Sequence, residues 1–174
     1  TVMARAIAEL QRDFLDPAQI AASAKVMGLD TQLVADRTYL IAELDGRIAG
    51  CGGWIKRATL YGGDDSLVPR DAQFLTPGRD AARVRAMYTD PDFARRGVGR
   101  AVIAACEDAA AAAGFTATEL MATLSGEPLY RAVGYVPVEH KVDDVDGIGV
   151  PLIRMRKQLG REAADLPMAG GSPI

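Results

Sequence analysis

The sequence predicts a mixed α/β (α+β) fold, in which a mostly antiparallel central sheet carries helices on both faces. Residues 38–57 indicate an antiparallel hairpin, because two strand-forming runs flank the two-residue turn Asp45-Gly46. Residues 83–123 indicate a βαβ unit, because an extended apolar run, a long alanine-rich helical pattern and a second strand follow one another. Joining the hairpin to this unit gives the mixed sheet.

The composition is that of one soluble globular domain. The chain has 174 residues, of which 49% are hydrophobic and 25% charged, and its net charge is −3. The acidic balance argues against a nucleic-acid partner. Neither a membrane span nor a secretory leader is visible, so we expect a cytoplasmic protein. A single domain should cover residues 1–159, followed by a flexible tail over 160–174.

Two helices and a helical turn are predicted before the hairpin. The first helix should end near Phe14, because an apolar stripe runs through Met3, Ile7, Leu10 and Phe14. Asp16 and Pro17 fit the N-cap and first position of a second helix that stops at Gly28. A short helical turn or loop should follow between residues 30 and 37.

The region after the hairpin turn allows more than one interpretation. Gly50, Gly52 and Gly53 mark a bulge, the close approach of a ligand or another backbone, or simply a weak strand. The segment 58–82 has no clear hydrophobic period. It is therefore predicted to be a loop that either covers a site or is mobile.

The second half of the chain alternates helices and strands. A helix over residues 97–113 should end at Gly114, and a strand should cover 115–123. Ser125 is expected to cap a short helix that ends at Gly134. Two strands, 136–142 and 148–156, would then be joined by an acidic turn. The two cysteines, Cys51 and Cys106, suit core positions better than a disulfide or a zinc site.

The start of the alanine-rich helix is a candidate anion site. Gly97-Val98-Gly99 opens this helix, so free backbone N–H groups and the helix dipole are available to a phosphate or pyrophosphate. Six arginines face only three aspartates in this region: Arg79, Arg83, Arg85, Arg95, Arg96 and Arg100 against Asp80, Asp90 and Asp92. A compact anionic ligand and a solvated arginine face both fit this charge.

This helix start and a later motif together resemble the GCN5-related N-acetyltransferase (GNAT) superfamily. The family's cofactor loop, Q/R-x-x-G-x-G/A, is matched by residues 94–99, and its tyrosine four residues before a Gly-aromatic pair is matched by Tyr130 and Gly134-Tyr135. The resemblance covers roughly residues 38–159. The chain departs from the family at Ala94, where Gln or Arg is usual, and at Thr123, where many relatives have an asparagine.

The resemblance implies a GNAT-like fold and transfer of an acetyl group from acetyl-coenzyme A to a primary amine of a small molecule or peptide. The amine would attack directly in a ternary complex, without a metal. The strand before the cofactor loop would splay from its neighbour and pair with the pantetheine arm, and the loop would hold the pyrophosphate. The implied cofactor-binding residues are Met87, Tyr88, Thr89, Arg95, Arg96, Gly97, Val98, Gly99, Arg100, Thr123 and Ser125.

The resemblance also implies two catalytic roles. The backbone N–H of Met87 would stabilise negative charge on the thioester oxygen. The Tyr130 phenol would donate a proton to the departing thiolate, although Tyr130 could instead be only a packed aromatic. Glu43 and Glu119 are candidates for the base that takes a proton from the amine, because an inward carboxylate on an apolar strand has a raised pKa. A surface position is equally compatible with either.

Arg83 and Arg85 share a strand face with Met87 if the alternation is strict. They would then pair with Glu43 or Glu119, or hold an acidic group of the substrate. A bulge that turns both arginines outward is the alternative.

The acceptor pocket should be built from the two N-terminal helices, the loop 58–82 and the last hairpin. Trp54 is expected in the core rather than in the wall of this pocket, and His140 is expected to be structural. A non-catalytic acyl-coenzyme A binding sensor or partner module is the competing function. Whether the chain forms a homodimer stays open.

Overall fold

A computed structural model describes residues 1–160. Five helices and six strands follow one another in this part of the chain. The helices are α1 (Val2–Glu9), α2 (Pro17–Val26), α3 (Thr31–Ala35), α4 (Val98–Ala112) and α5 (Glu127–Ala132). The strands are β1 (Tyr39–Leu44), β2 (Arg47–Ile55), β3 (Ala82–Thr89), β4 (Ala117–Thr123), β5 (Val136–Val145) and β6 (Ile148–Gln158). The predicted tail lies, apart from Gly160, outside the described residues.

The six strands form one sheet in the order β1-β2-β3-β4-β6-β5. Neighbouring strands are antiparallel, except that β3 and β4 are parallel. The strands β3 and β4 and the helix α4 between them form the βαβ unit. The predicted mixed, mostly antiparallel sheet with a central βαβ unit is therefore confirmed.

The parallel strands β3 and β4 separate after a short contact. Within residues 1–160 they pair only at Ala82 with Thr118 and at Arg83 with Glu119. Beyond these positions β4 remains paired with β6 on its other side. The second half of β3 therefore has one edge that faces a gap in the sheet instead of a neighbouring strand.

A β-bulge in β3 decides which way its side chains point. The register with β2 shifts between Arg85 and Tyr88, where β3 contributes Ala86 and Met87 and β2 contributes only Gly52. Ala86 adopts a left-handed conformation with φ of 51°. Strict alternation is therefore wrong here, and Met87 does not share a face with the two arginines.

Close packing explains the glycines of β2, under α4 for Gly50 and Gly52 and against the Thr38 carbonyl and Leu33 for Gly53. A Cβ on Gly52 would lie 2.2 Å from the Met87 sulfur, and a Cβ on Gly50 would lie 2.7 Å from Cγ1 of Val98. Both distances are far below van der Waals contact. Of the predicted alternatives, a bulge and a close approach by other protein groups apply, and no ligand is needed to account for these glycines.

Two hydrophobic groups hold the helices to opposite faces of the sheet. On one face, α4 packs through Val102, Ile103 and Cys106 onto a cluster that includes Leu120 and Met155. On the other face, α1 packs through Ala6 and Ile7 onto Cys51 and Tyr88. The two cysteines are free and buried, as expected. Among the described residues, no helix is long and apolar enough to cross a membrane.

Several predicted boundaries need correction. The helix α1 ends at Glu9 rather than near Phe14, whose side chain is exposed. The short helix α5 begins after Gly126, and the Ser125 side chain does not cap it. By contrast, the predicted N-cap of α2 is confirmed, because Asp16 and Gln19 form a reciprocal pair of hydrogen bonds at the start of the helix.

Candidate active site

Two cavities open where β3 and β4 separate. The first, here called the α4 cavity, is bordered by α1, the start of α4 and α5. The second, the loop cavity, is bordered by α2, β6 and residues 60–63 of the long loop. Both cavities are lined by the same five residues: Met27, Met87, Tyr88, Thr123 and Tyr130. The two cavities therefore adjoin at these residues, which are called the junction below.

The start of α4 is open to an anion. Gly97 is the N-cap residue with φ of 84°, and no side chain caps the helix. Arg95 is also left-handed, with φ of 64°. Alternation of this kind directs consecutive N–H groups into a concave surface that favours negative charge. Thr89 and Gly99 line the α4 cavity next to this helix start.

The two glycines of the turn have different structural reasons. A Cβ on Gly97 would meet no other atom within 4 Å, so glycine is favoured there by its backbone conformation alone. A Cβ on Gly99 would lie 2.8 Å from Cδ2 of Leu129 on α5. Gly99 therefore also permits α4 and α5 to pack closely, a role that the sequence motif does not reveal.

The six arginines of the predicted cationic region do not share one site. Arg95, Arg96 and Arg100 are exposed around the start of α4, although Arg96 also pairs with Asp45 at 3.1 Å. Arg83 and Arg85 are turned into the opposite side of the sheet, and Arg79 pairs with Asp80 at the surface. Three of the six arginines, rather than all six, therefore lie near the candidate anion site at the start of α4.

The turn that leads into α4 is held by an ion-pair cluster that the sequence pattern did not indicate. Arg5 of α1 contacts Asp90 at 2.8 Å and Asp92 at 2.9 Å, and Arg47 also contacts Asp92 at 2.8 Å. The paired arginines and aspartates are 45 to 87 positions apart, so no local motif could have paired them. The cluster fixes the turn between β3 and α4 against the rest of the domain.

Tyr130 is buried at the junction of the two cavities. Burial raises the pKa of its phenol above the ordinary value, and nearby Cys106 and Tyr88 act in the same direction. No side-chain hydrogen bond contributes to this shift. The phenol therefore keeps its proton at neutral pH, and its hydroxyl is available to a bound molecule.

Thr123 and Ser125 shape the turn at the end of β4. The Thr123 hydroxyl accepts a hydrogen bond from the Gly126 N–H at 3.2 Å and lies 3.1 Å from the Ser125 hydroxyl. Thr123 lines both cavities, whereas Ser125 lines the α4 cavity. The threonine at the position of the family's usual asparagine thus stabilises the entry into α5.

The long loop covers the loop cavity and is bonded to the body of the domain. Its Gly63 N–H donates to the carbonyl of Val26, and the Asp64 N–H donates to the carbonyl of Leu29, at 2.9 and 2.8 Å. The Asp64 carboxylate also accepts from the Thr31 N–H. Of the two predicted alternatives, a loop that covers a site fits residues 60–64.

A buried ion pair lies in the wall of the loop cavity. The guanidinium of Arg85 is 2.8 Å from Asp30, and both side chains are almost completely buried. Arg85 also donates to the carbonyl of Gly62 at 2.6 Å. Of the alternatives that the sequence left open for Arg85, a pair with Glu43 or Glu119 is wrong, and so is a bulge that turns it outward. Asp30 is 55 positions away, and no sequence pattern links the two residues.

Glu119 is not a free carboxylate that could act as a base. It accepts hydrogen bonds from Arg83, Arg154 and Arg156. Burial alone would raise the pKa of Glu119, but these arginines outweigh it and hold the pKa below its ordinary value. The raised pKa expected for an inward carboxylate is therefore wrong, whereas the predicted pairing of Arg83 with Glu119 is confirmed.

The other residues considered in the sequence lie away from the junction. Glu43 is exposed on the edge strand β1, and His140 is exposed on the edge strand β5. Trp54 packs edge-to-face on Phe115, with ring centroids 6.3 Å apart. The core position of Trp54 is confirmed, and neither Glu43 nor Glu119 is available as the base.

Comparison with known proteins decides the family. The model of the acetyltransferase (GNAT) domain matches residues 35–137, which include the hairpin, the long loop, the βαβ unit and Tyr130. The chain belongs to the GNAT acetyltransferase family. This GNAT protein is therefore an N-acetyltransferase that uses acetyl-coenzyme A, and the resemblance seen in the sequence is confirmed.

Solved structures share the fold of this GNAT protein. A GCN5-related N-acetyltransferase described as "Aminotransferase, Class-II" from Rhodopseudomonas palustris is 22% identical over 91% of this chain and 86% of its own, with a TM-score of 0.63. The ribosomal-protein-alanine N-acetyltransferase from Brucella melitensis is 15% identical over 91% and 90%, with a TM-score of 0.58.

A third structure contains the coenzyme. The PaiA N-acetyltransferase from Thermoplasma acidophilum, in complex with coenzyme A, is 13% identical over 90% of this GNAT chain and 88% of its own, with a TM-score of 0.54. At these identities the likeness extends to the fold alone. No curated protein sequence matches the chain significantly.

Proposed function

We propose that this enzyme transfers the acetyl group of acetyl-coenzyme A to a primary amine of a small molecule or peptide, by direct attack while both substrates are bound. One observation carries the proposal: the α4 cavity and the loop cavity meet at Met87 and Tyr130. Two substrates that enter from opposite sides would have their reacting atoms at this junction. An acetylated side chain of the enzyme is then unnecessary.

The α4 cavity suits the donor. The uncapped start of α4 and the left-handed Gly97 offer N–H groups to the pyrophosphate, with Arg95, Arg96, Val98, Gly99 and Arg100 around it. The unpaired edge of β3 at Met87, Tyr88 and Thr89 offers backbone groups to the pantetheine arm, as in strand addition. Thr123 and Ser125 supply hydroxyls on the other wall. Bound acetyl-coenzyme A supplies the activated thioester.

Two groups of the chain serve the transfer itself. The Met87 N–H donates to the thioester oxygen and stabilises the charge that develops there as the amine nitrogen bonds to the carbonyl carbon. When the carbon–sulfur bond breaks, the Tyr130 hydroxyl gives its proton to the sulfur. The amine loses one proton to water, and Tyr130 is then reprotonated, so that the products are the N-acetylated amine and coenzyme A thiol.

The proton of the amine leaves through water rather than through a carboxylate. An alkylamine has a pKa near ~10.4, so only a small fraction is neutral and able to attack at pH 7. Glu119 is held by three arginines, and Glu43 is exposed on the edge of the sheet. We therefore expect kcat/KM to rise with pH until the amine itself is neutral.

A thiol-release assay tests the proposal. Acetyl-coenzyme A is incubated with the enzyme and a panel of polyamines, amino acids, aminoglycosides and peptides, and the free coenzyme A thiol is measured together with the acetylated product. Stoichiometric release with at least one amine is the expected result. Tight binding of acetyl-coenzyme A without release on any amine would contradict catalysis and favour the non-catalytic sensor.

A further inference from the structure

The wall of the loop cavity contains a buried cation with unused hydrogen-bond donors. Arg85 is 5% exposed and lines this cavity, but its Nε and Nη1 groups are buried and have no hydrogen-bond partner among residues 1–160. Only Nη2 is used, by the carbonyl of Gly62. Buried N–H groups without a partner are costly, and they are more costly on a charged group. Such a cost is expected where a ligand supplies the missing acceptor.

The ion pair with Asp30 does not satisfy this guanidinium. Nη2 of Arg85 lies 2.8 Å from Oδ2 of Asp30, yet Oδ2 has no hydrogen-bond partner in the described chain, so the two groups are in contact without being aligned. The other oxygen of Asp30 is shared, because it accepts from the Gln32 N–H and from Arg70 at 3.2 and 3.1 Å. The Asp30 carboxylate therefore neutralises the guanidinium of Arg85 only in part.

The ion pairs on this face leave Asp30 as the one carboxylate of the described residues in the lining of the loop cavity. Arg83 and Arg85 lie two positions apart before the bulge, on the face of β3 opposite Met87. Arg83 pairs with Glu119, which does not line the cavity. The charged residues of the lining are therefore Arg85 and its partly engaged counter-ion Asp30.

We infer that the acceptor amine carries a carboxylate, which binds Arg85 in the loop cavity. This inference rests on the proposed function and gives its substrate class: primary amines with a carboxylate and an apolar body. The apolar part is favoured by Val26, Leu60, Leu120 and Leu152, which line the same cavity. A carboxylate on a guanidinium forms charge-assisted hydrogen bonds, which are stronger than those to a neutral oxygen. Arg85 and Met87 both line the loop cavity, so a substrate whose carboxylate binds Arg85 extends its amino group within the same cavity toward the proposed thioester position.

Matched pairs of substrates test the inference. Each amino acid of an apolar series is compared with its own carboxamide, for example phenylalanine with phenylalaninamide, in which an uncharged group of nearly the same shape replaces the carboxylate. Because amidation also lowers the pKa of the amino group, kcat/KM is expressed per concentration of neutral amine. The wild-type enzyme should use the acid with a kcat/KM higher by at least ~10-fold, since one charge-assisted contact is lost in the amide. Equal values for acids and amides in the presence of turnover would overturn the inference and leave the proposed function intact.

Variants assign the preference to Arg85. In the double variant Arg85→Gln with Asp30→Asn, the ratio of acid to amide should fall to about one. Both residues are changed together because Arg85→Gln alone would leave Asp30 buried without its cation, and asparagine can still cap α3. Arg70→Gln is the matched control, because Arg70 contacts Asp30 but does not line the cavity. Loss of the preference in the control as well would overturn the assignment.

A binding measurement separates this inference from the proposed function. The probes are 3-phenylpropanoate and its amide, which have no amino group and cannot be acetylated, added to the enzyme loaded with coenzyme A. Calorimetry should detect tighter binding of the carboxylate to the wild-type enzyme and no difference in the double variant. If no amine is acetylated, this preference still supports the carboxylate site, whereas equal binding of both probes overturns it.

Discussion

At the scale of single residues, Glu119 illustrates how a carboxylate in an active-site sheet is used for structure. It is 2% exposed and is the shared counter-ion of Arg83, Arg154 and Arg156, which come from the adjoining strands β3 and β6. Removing one partner from a buried ionic cluster leaves the other charges without compensation. The role of Glu119 is therefore to hold β3, β4 and β6 together at the point where β3 and β4 begin to separate.

Replacement of Glu119 should destabilise the protein in a pH-dependent manner. Glu119→Gln is expected to lower the free energy of unfolding by about 3 kcal/mol at pH 7, because three arginines lose their counter-ion. The pKa of Glu119 is held below its ordinary value, so its stabilisation is present above the unfolded pKa and is lost as the pH falls through the folded pKa. Urea denaturation at pH 7 and at pH 3 measures this difference.

The matched control for this prediction is Glu43→Gln on the exposed edge strand. Its effect should stay within about 0.5 kcal/mol at both pH values. Equal stability losses for the Glu119 and Glu43 variants, or a loss for Glu119→Gln that does not shrink at low pH, would contradict the structural role.

Candidate site residues could be singled out from the sequence only where a motif fixed their positions. Tyr130 and the glycines at 97 and 99 were found because they stand at set distances from one another. The partners of Arg83, Arg85 and Arg5 are 36, 55 and 85 positions away. Charge pairs at such distances depend on the tertiary fold, and the sequence pattern could offer only alternatives for them.

At the scale of elements, the start of α4 and the bulge in β3 shape the proposed donor site. The helix start could be predicted, because a glycine turn before an alanine-rich helix has a local signature. The bulge could not be placed, because Ala86 is an ordinary residue in a left-handed conformation that only the packing of Met87 over Gly52 explains. This single residue reverses the side of the sheet on which Met87 lies.

Charge at Gly97 tests the anion site without changing its packing. Gly97→Glu and Gly97→Gln introduce side chains of the same size with the same backbone strain. A Cβ at this position would meet no other atom within 4 Å, so packing is not disturbed. Acetyl-coenzyme A should bind the Glu variant roughly 10-fold more weakly than the Gln variant, because the carboxylate repels the pyrophosphate. Calorimetric dissociation constants at low and high salt would reveal the difference and its screening.

Equal dissociation constants for the two Gly97 variants at low salt would show that the pyrophosphate lies elsewhere. Gly99→Glu is a less specific test, because a Cβ at Gly99 would already press on Leu129. Loss of binding in that variant could then arise from altered packing of α5 rather than from charge.

At the scale of the whole molecule, the central sheet has a gap between β3 and β4, and different elements border this gap on its two sides. The proposed donor side is built by the βαβ unit, which carries the cofactor-loop motif, together with α1 and α5. The proposed acceptor side is built by α2, the long loop and β6. The sequence analysis expected both N-terminal helices there, but α1 lines the other cavity. The details of the loop could not be predicted, because its docking depends on Asp64 and on backbone groups that have no sequence signature.

Release of the loop from the body of the domain should weaken binding of the acceptor amine and leave binding of acetyl-coenzyme A unchanged. Asp64→Ala removes the acceptor of the Thr31 N–H and the partner of Arg70. The KM of the amine should rise about 5-fold, as expected for one lost charged contact, with an unchanged dissociation constant for acetyl-coenzyme A. Hydrogen exchange at residues 60–63 should accelerate. Asp71→Ala is the control, since among residues 1–160 its carboxylate accepts a hydrogen bond only from the Gln73 N–H of the same loop. A higher dissociation constant for acetyl-coenzyme A in Asp64→Ala would contradict the assignment of donor and acceptor to different sides.

The most direct test of acetyl transfer at the junction of the two cavities is the pH profile of kcat for the wild-type enzyme and for Tyr130→Phe. Burial raises the pKa of Tyr130, so the wild-type kcat should show no fall due to loss of this proton up to pH ~10. Tyr130→Phe should lower kcat about 100-fold, while the dissociation constant of acetyl-coenzyme A stays the same. A variant with unchanged kcat across this pH range would contradict the role of Tyr130 as the acid.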